Sequence, residues 1–147
     1  MRWRLLDRID RFEPWAAASG RKAISFEECC LLEPFGRKGE FPAALVLQSG
    51  VELVRALVAR SSEFAETCML EEAGGFAFSP CAAMGGVLTV AARIVERDER
   101  SVTAECRATC SGVVVGEGRL QMRLLSMVDP REREATEGAW QELYGAT

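Results

Sequence analysis

The chain has no histidine in 147 residues, and that absence constrains its chemistry more than any residue present. Histidine is the side chain whose ordinary pKa lies near neutrality. Any general acid or base must therefore be a carboxylate raised by its surroundings, a cysteine, or a lysine lowered by its surroundings. Also missing is a run of the roughly 20 apolar residues that spans a bilayer core. The stretch nearest to one is broken by Glu52, Arg55, Arg60 and Glu63. The opening Met1-Arg2-Trp3-Arg4-Leu5-Leu6-Asp7-Arg8 lacks the apolar core of a signal peptide, so the expectation is a cytoplasmic protein with no membrane partner. Its six cysteines, Cys29, Cys30, Cys68, Cys81, Cys106 and Cys110, are then thiols. They form no Cys-x-x-Cys pair, and without histidine a zinc site would need cysteines gathered from scattered elements. They read as small buried hydrophobes, and neither a metal nor a cofactor is expected.

The formal net charge of −4 gives no support for a nucleic-acid partner, which would want a basic face. With 48% hydrophobic and 27% charged residues the chain falls in the ordinary globular class. Its length suits one domain over residues 1–147 with a real core.

The segment from Gly39 to Phe64 organises the rest. Ser49 followed three residues later by Glu52 and an apolar run is the capping-box pattern, which predicts a helix from Gly50 to about Phe64. Val51, Val54, Leu57, Val58 and Phe64 recur at helical spacing and define its buried face. Before it, a strand is expected near Arg8 to Glu13, a loop over Pro14 to Gly20, and a strand over Lys22 to Cys30, where Ile24 and Phe26 share a face. After it, Gly74-Gly75 reads as a turn, an apolar segment runs from Phe76 to Ala83, and Gly85-Gly86 is a second break.

Three further strands follow. In Leu88 to Val95, Leu88, Val90, Ala92 and Ile94 share a face; Arg97 to Arg100 is a charged turn. In Ser101 to Cys110, Val102, Ala104, Cys106, Ala108 and Cys110 point inward. Ser111-Gly112 makes a turn, and Leu120, Met122 and Leu124 are the inward set of Val113 to Met127. Pro130 ends that strand, and residues 131–144 suit a terminal helix. Short turns between alternating strands indicate antiparallel hairpins with one solvated face. The expected class is α+β, an antiparallel sheet of five or six strands wrapped around one long central helix.

Several strings, in order, resemble the beta-hydroxyacyl-[acyl-carrier-protein] dehydratase family. Leu5-Leu6-Asp7-Arg8-Ile9 is similar to its opening segment, and Gly20 through Glu33-Pro34-Phe35 to its second strand and Asn-Glu-Pro-Phe turn. Gly39-Glu40-Phe41-Pro42 is similar to its Gly-His-Phe-Pro motif, and Ser49-Gly50-Val51 to the Pro-Gly-Val that opens its central helix. Pro80 and Gly85 fall near its later proline and Pro-Gly positions, and Gly112 to Leu124 resembles its last strands. The match covers most of residues 5 to 125. It implies a hot-dog fold, a dimer with the two helices at its centre, and an acyl thioester as substrate, carried on acyl-carrier protein or coenzyme A.

The departures fall on the catalytic positions. Glu40 stands where the family has the histidine that acts on the proton alpha to the thioester carbonyl. The family's helix carboxylate, contributed across the dimer, falls on Arg55, or on Val54 if no gap is allowed. The backbone device survives in the resemblance: N–H groups at a helix start polarise the carbonyl, with Gly50 allowing close approach. Phe41, Gly50, Val51 and Arg55 are the implied substrate contacts.

Glu40 and Glu52 are the candidate catalytic carboxylates. Glu40 is a base if an apolar pocket raises its pKa, and otherwise a solvated loop residue beside Arg37 and Lys38. Glu52 sits where hot-dog thioesterases can carry a carboxylate, and otherwise caps its own helix. Arg55 is either a contact for a phosphopantetheine phosphate or an acidic carrier, or the surface partner of Glu52. Phe41, Phe64, Phe76 and Phe78 read as core or tunnel lining. Three functions follow: a divergent dehydratase-like protein of fatty-acid or polyketide-type metabolism, a thioesterase using Glu40 or Glu52, or a non-catalytic partner subunit that forms a heterodimer with an active dehydratase.

Overall fold

The computed structural model describes residues 5–24, 41–79 and 86–144. Its sheet strands are β1 (Arg8–Glu13), β2 (Ala17–Ala23), β3 (Glu66–Phe78), β4 (Val87–Arg97), β5 (Ser101–Cys110) and β6 (Val113–Ser126). Two helices accompany them, α1 (Ala43–Ser61) and α2 (Pro130–Tyr144). The six strands form one sheet in the order β1-β2-β4-β5-β6-β3, with every neighbouring pair antiparallel. α1 packs across β2 to β6 on one face. One long helix wrapped by an antiparallel sheet is a hot-dog fold.

β5 shows why the alternation was legible. Val102, Ala104, Cys106, Ala108 and Cys110 are all buried beneath α1, while the intervening side chains form cross-strand ion pairs on the other face. Glu105 lies directly opposite Arg93 on β4 and Arg119 on β6. It accepts hydrogen bonds from them at 2.7 and 3.1 Å, which hold its carboxyl below the usual carboxylate range, Arg93 contributing most. Arg107 and Glu117 make the next such pair at 3.1 Å. Directly opposed opposite charges of this kind fix strand register.

The turns follow their residues. Ser111 and Gly112 both take positive φ, 53° and 78°, as a two-residue hairpin loop of right-handed sheet twist demands. Asp98 closes the β4–β5 turn by accepting from the backbone N–H of Arg100 at 2.7 Å and of Ser101 at 2.9 Å; these two bonds lower its pKa. The charge-rich terminal segment is helical as expected. Asp129 accepts from the N–H of Arg131 at 2.9 Å, and Pro130 takes the first helical position, where its missing N–H costs nothing. Trp140 then anchors α2, edge-on to Phe12 at 5.0 Å and stacked on Tyr144 at 5.1 Å.

Three expectations are corrected. The loop expected over Pro14 to Gly20 is confined to its first part, because β2 begins at Ala17 and pairs with β4 over seven successive residues. Its alanines and glycine have weak strand preference, but a Cβ on Gly20 would lie 2.7 Å from the Arg8 carbonyl oxygen, so close packing by β1 selects the glycine. The Gly74-Gly75 turn is instead a register shift within β3, with Gly75 at φ 62°. A bulge absorbs the glycines without ending the strand. The helix begins seven residues before Gly50, at Ala43. The strand expected to continue through Phe26 to Cys30 lies outside the described residues, although Ile24 is buried.

β6 carries two glycines beneath aromatic rings. A Cβ on Gly118 would stand 2.6 Å from Cγ and 2.8 Å from Cα of Phe76, and the latter is backbone that cannot swing aside. Gly118→Ala is therefore expected to cost about 1–3 kcal/mol, lowering Tm by roughly 3–9 °C. Gly138 of α2 has nothing within 4 Å of such a Cβ, so Gly138→Ala should stabilise by about 0.5–1 kcal/mol. Calorimetry of the two variants checks the contrast.

Candidate functional site

The start of α1 differs from the capping-box expectation in a way that moves the site. Ser49 is fully buried inside the helix, and its hydroxyl donates to the Leu45 carbonyl at 2.8 Å, the back-bonding a mid-helix serine makes. Glu52 does not reach back to a helix start. It accepts from Gln48 Nε2 at 3.1 Å and pairs with Arg55 at 3.3 Å. The N-cap is Pro42, extended at φ −61° and ψ 140°, with no side-chain cap. The N–H groups of Leu45 and Val46 donate to the Pro42 carbonyl at 3.0 and 3.2 Å. Those of Ala43 and Ala44 precede the first intrahelical bond and carry the positive end of the helix dipole.

Beside that start lies an apolar bed. Val46 of α1 and Phe78 of β3 meet over Gly116, where a Cβ would stand 2.9 Å from the valine and 3.3 Å from the ring. Phe76 and Phe78 stack at 5.5 Å. Phe41 is buried just before the helix. Val46 and the paired glycines were not singled out from the sequence. The available signal was Gly116-Glu117-Gly118 within a strand, which leaves inner-face space that neighbouring aromatics fill.

The expected site residues separate into two groups. Phe41, Gly50 and Val51 are buried, and Gly50 lies in the body of α1 against Cys106 and Leu120, so it supplies no helix-start N–H. Glu52 and Arg55 are half-exposed on another side of α1. With Ala56, Ala59, Thr67 and Trp140 they line a groove of about 540 Å³ between α1 and α2. Glu40, Arg37, Lys38, Cys29, Cys30, Cys81, Pro80, Gly85 and the Glu33-Pro34-Phe35 string lie outside the described residues. A larger hollow of about 880 Å³ occupies the outer sheet face, rimmed by the ion-paired Arg93, Glu105, Arg107 and Glu117. It lies across the sheet from α1, and these four charges are matched to one another.

Cys68 sits near the Glu52–Arg55 pair. Burial pushes its thiol up to about 12, with Arg55 opposing and Glu52 adding to the rise. Burial also pushes Cys106, beneath Gly50, up to about 12. Neither is a thiolate nucleophile at neutral pH. Among the described residues no cluster of three or more side chains is placed to hold a metal ion, and no helix is long and apolar enough to cross a membrane.

No protein-family model matches the chain, and no curated protein matches it in sequence. Solved structures do match in fold. A hypothetical thioesterase with coenzyme A from Streptococcus pneumoniae is 11% identical, with a TM-score of 0.64 over 83% of this chain and 88% of that one. A dehydratase heterocomplex from Xenorhabdus doucetiae is 18% identical, with a TM-score of 0.64 over 89% of this chain and 87% of that one. A hot-dog-like protein from Thermanaerovibrio acidaminovorans is 13% identical, with a TM-score of 0.66 over 86% and 93%. At these identities the likeness is one of fold.

The buried thiols make a prediction about the site's inertness. With a pKa of about 12, about one Cys68 or Cys106 in ten thousand is a thiolate at pH 8. Iodoacetamide at pH 8 should leave both unmodified in the native protein and label both after denaturation, read by peptide mass mapping. Rapid native labelling of Cys68 would show that its environment is open.

Proposed function

We propose that the chain binds and processes acyl thioesters, on acyl-carrier protein or coenzyme A, as a divergent dehydratase-like protein of fatty-acid or polyketide-type metabolism in the cytoplasm. The observation that carries this reading is the start of α1. Two N–H donors and the helix dipole follow the buried Phe41 and lie within one turn of Val46, which meets Phe78 over Gly116, and this suits a polarised carbonyl with an apolar chain behind it. The fold likeness to a thioesterase with coenzyme A and to a dehydratase heterocomplex supports the same substrate class. Glu40, directly before Phe41 in sequence, is the proposed base in place of the family's histidine.

Glu52 supports a second reading. Its carboxylate faces a groove and is oriented by Gln48 and Arg55, an arrangement that suits activating water for thioester hydrolysis. Nine residues of helix, about 13 Å, separate it from Ala43. Glu52 and the helix start therefore meet on one thioester only if they come from different protomers. A homodimer is accordingly part of the proposal, as is its variant, a heterodimer with an active dehydratase in which this chain is the binding subunit. Of the two sheet edges, β1 and β3, the longer β3, 13 residues against 6, is the proposed joining edge.

Hydration of a trans-2-enoyl thioester, followed by loss of enoyl absorbance with free thiol monitored in the same samples, tests the reading. Wild type should hydrate the substrate, with the rate falling about 100-fold in Glu40→Ala. Thiol release that collapses in Glu52→Gln would transfer the protein to the thioesterases. Thioester binding without either reaction would leave the partner-subunit role, and no thioester binding on either carrier would refute the proposal.

A further inference from the structure

Both donors that reach Glu52 end on the same oxygen. Gln48 Nε2, one helical turn earlier, donates to Oε1 at 3.1 Å, and Arg55 Nη1, nearly one turn later, donates to the same Oε1 at 3.3 Å. A carboxylate oxygen offers about two acceptor sites, and these two donors fill them on Oε1. None of the described residues donates to Oε2. An arginine that only neutralises a carboxylate commonly grips it with both arms of its fork, one to each oxygen. Here arginine and amide share one atom, and the second oxygen is left over.

That carboxylate adjoins open space. Glu52 lines the groove between α1 and α2, with 35% of its side chain exposed. Further along α1 the groove is lined by Ala56 and Ala59, and from α2 by Ala135 and Ala139, whose short side chains leave it unfilled. Its volume of about 540 Å³ lies in the range of small-molecule sites, with room for a water and a thioester carbonyl. An exposed ion pair with Arg55 alone would be a loose constraint on the carboxylate. The partly buried hydrogen bond from Gln48 adds a second direction of restraint, from the preceding turn, without adding a charge.

We infer that Gln48 is a positioning residue for thioester hydrolysis: by holding Oε1 of Glu52 together with Arg55, it leaves Oε2 as the oxygen that takes a proton from the attacking water. The inference rests on the second reading above, in which Glu52 activates water. In that step the water oxygen bonds to the thioester carbonyl carbon while one of its protons passes to Oε2. The carbon–sulfur bond then breaks, and the proton moves from Oε2 to the departing thiolate, giving a carboxylic acid and a free thiol. Gln48 touches neither reactant. It restricts rotation of the carboxylate, so that the accepting oxygen is in place before water arrives.

Hydrolysis of butyryl thioesters of coenzyme A and of acyl-carrier protein, followed by release of free thiol, tests this in wild type, Gln48→Met, Glu52→Gln and the double variant. Methionine keeps the length of glutamine and removes the donor. Gln48→Met should lower kcat about tenfold with KM unchanged, the scale of one lost hydrogen bond. In the Glu52→Gln background the same substitution should have no further effect on the residual rate, because it acts through Glu52. If Gln48→Met does not fold, Gln48→Leu carries the same cycle. An unchanged kcat in Gln48→Met would overturn the inference, as would an equal fall in both backgrounds, which marks a structural role. A wild type that releases no thiol from either carrier, or whose release survives Glu52→Gln undiminished, would instead defeat the Glu52 reading on which the inference stands.

Discussion

The structure depends on α1 lying close against the sheet, and small residues beneath it permit that. Ala104, Cys106 and Ala108 of β5, with Gly116 and Gly118 of β6, form the bed under a helix whose Leu53, Val54, Leu57 and Val58 are fully buried. Larger side chains in the bed would lift the helix and open voids along its sides, losing the dispersion contacts on which a close-packed interior relies. Where the bed is smallest, at the two glycines, Phe76 and Phe78 fill the space from β3. The bed thereby sets both the seating of the helix and the apolar character of the surface at its start.

That seating also governs which chemistry is available. A helix starting at Gly50 would have put its free N–H groups next to Glu52, with carboxylate and donors on one short stretch. A helix starting at Ala43 spreads them along the axis, with the donors at one end and Glu52, tied to Gln48 and Arg55, in the middle. The capping-box pattern misled because its residues satisfy a different rule. Ser49 bonds back to Leu45, and Glu52 belongs to an i−4 and i+3 surface network. A hydroxyl and a carboxylate three residues apart fit a helix interior as well as its first turn, and the pattern alone does not separate the two.

Elsewhere the legibility of the fold tracks how strongly one local force dominates. β5 and β6 were readable because one face is apolar, the other is paired charge, and the Ser111-Gly112 loop fixes their register. The helical terminal segment was signalled by Pro130 and its charged surface. β3 was not readable, because Glu71, Glu72, Gly74 and Gly75 interrupt its alternation at two register shifts; its identity as a strand comes from pairing with a distant β6. β2 was hidden for the same reason, its small residues reflecting contact with β1 and not an intrinsic strand preference. Of the candidate site, Phe41 and the aromatics were visible as apolar residues. The bed beneath Phe76 and Phe78 was not, since glycines record a space only once their neighbours are known.

The two faces of the sheet and its β3 edge differ in what they can accept. The outer face is closed to indiscriminate association by its own ladders: Glu105 serves two arginines, and Arg107 is matched to Glu117. A ligand binding to these four side chains would have to compete with pairs already formed. The β3 edge is different. It is long, and Met69 is half exposed on it, yet its glutamates and two register shifts spoil the flat, apolar template that promotes promiscuous pairing. An edge that is open but irregular selects a partner whose own irregularities match, and a second copy of the same strand has that property by symmetry.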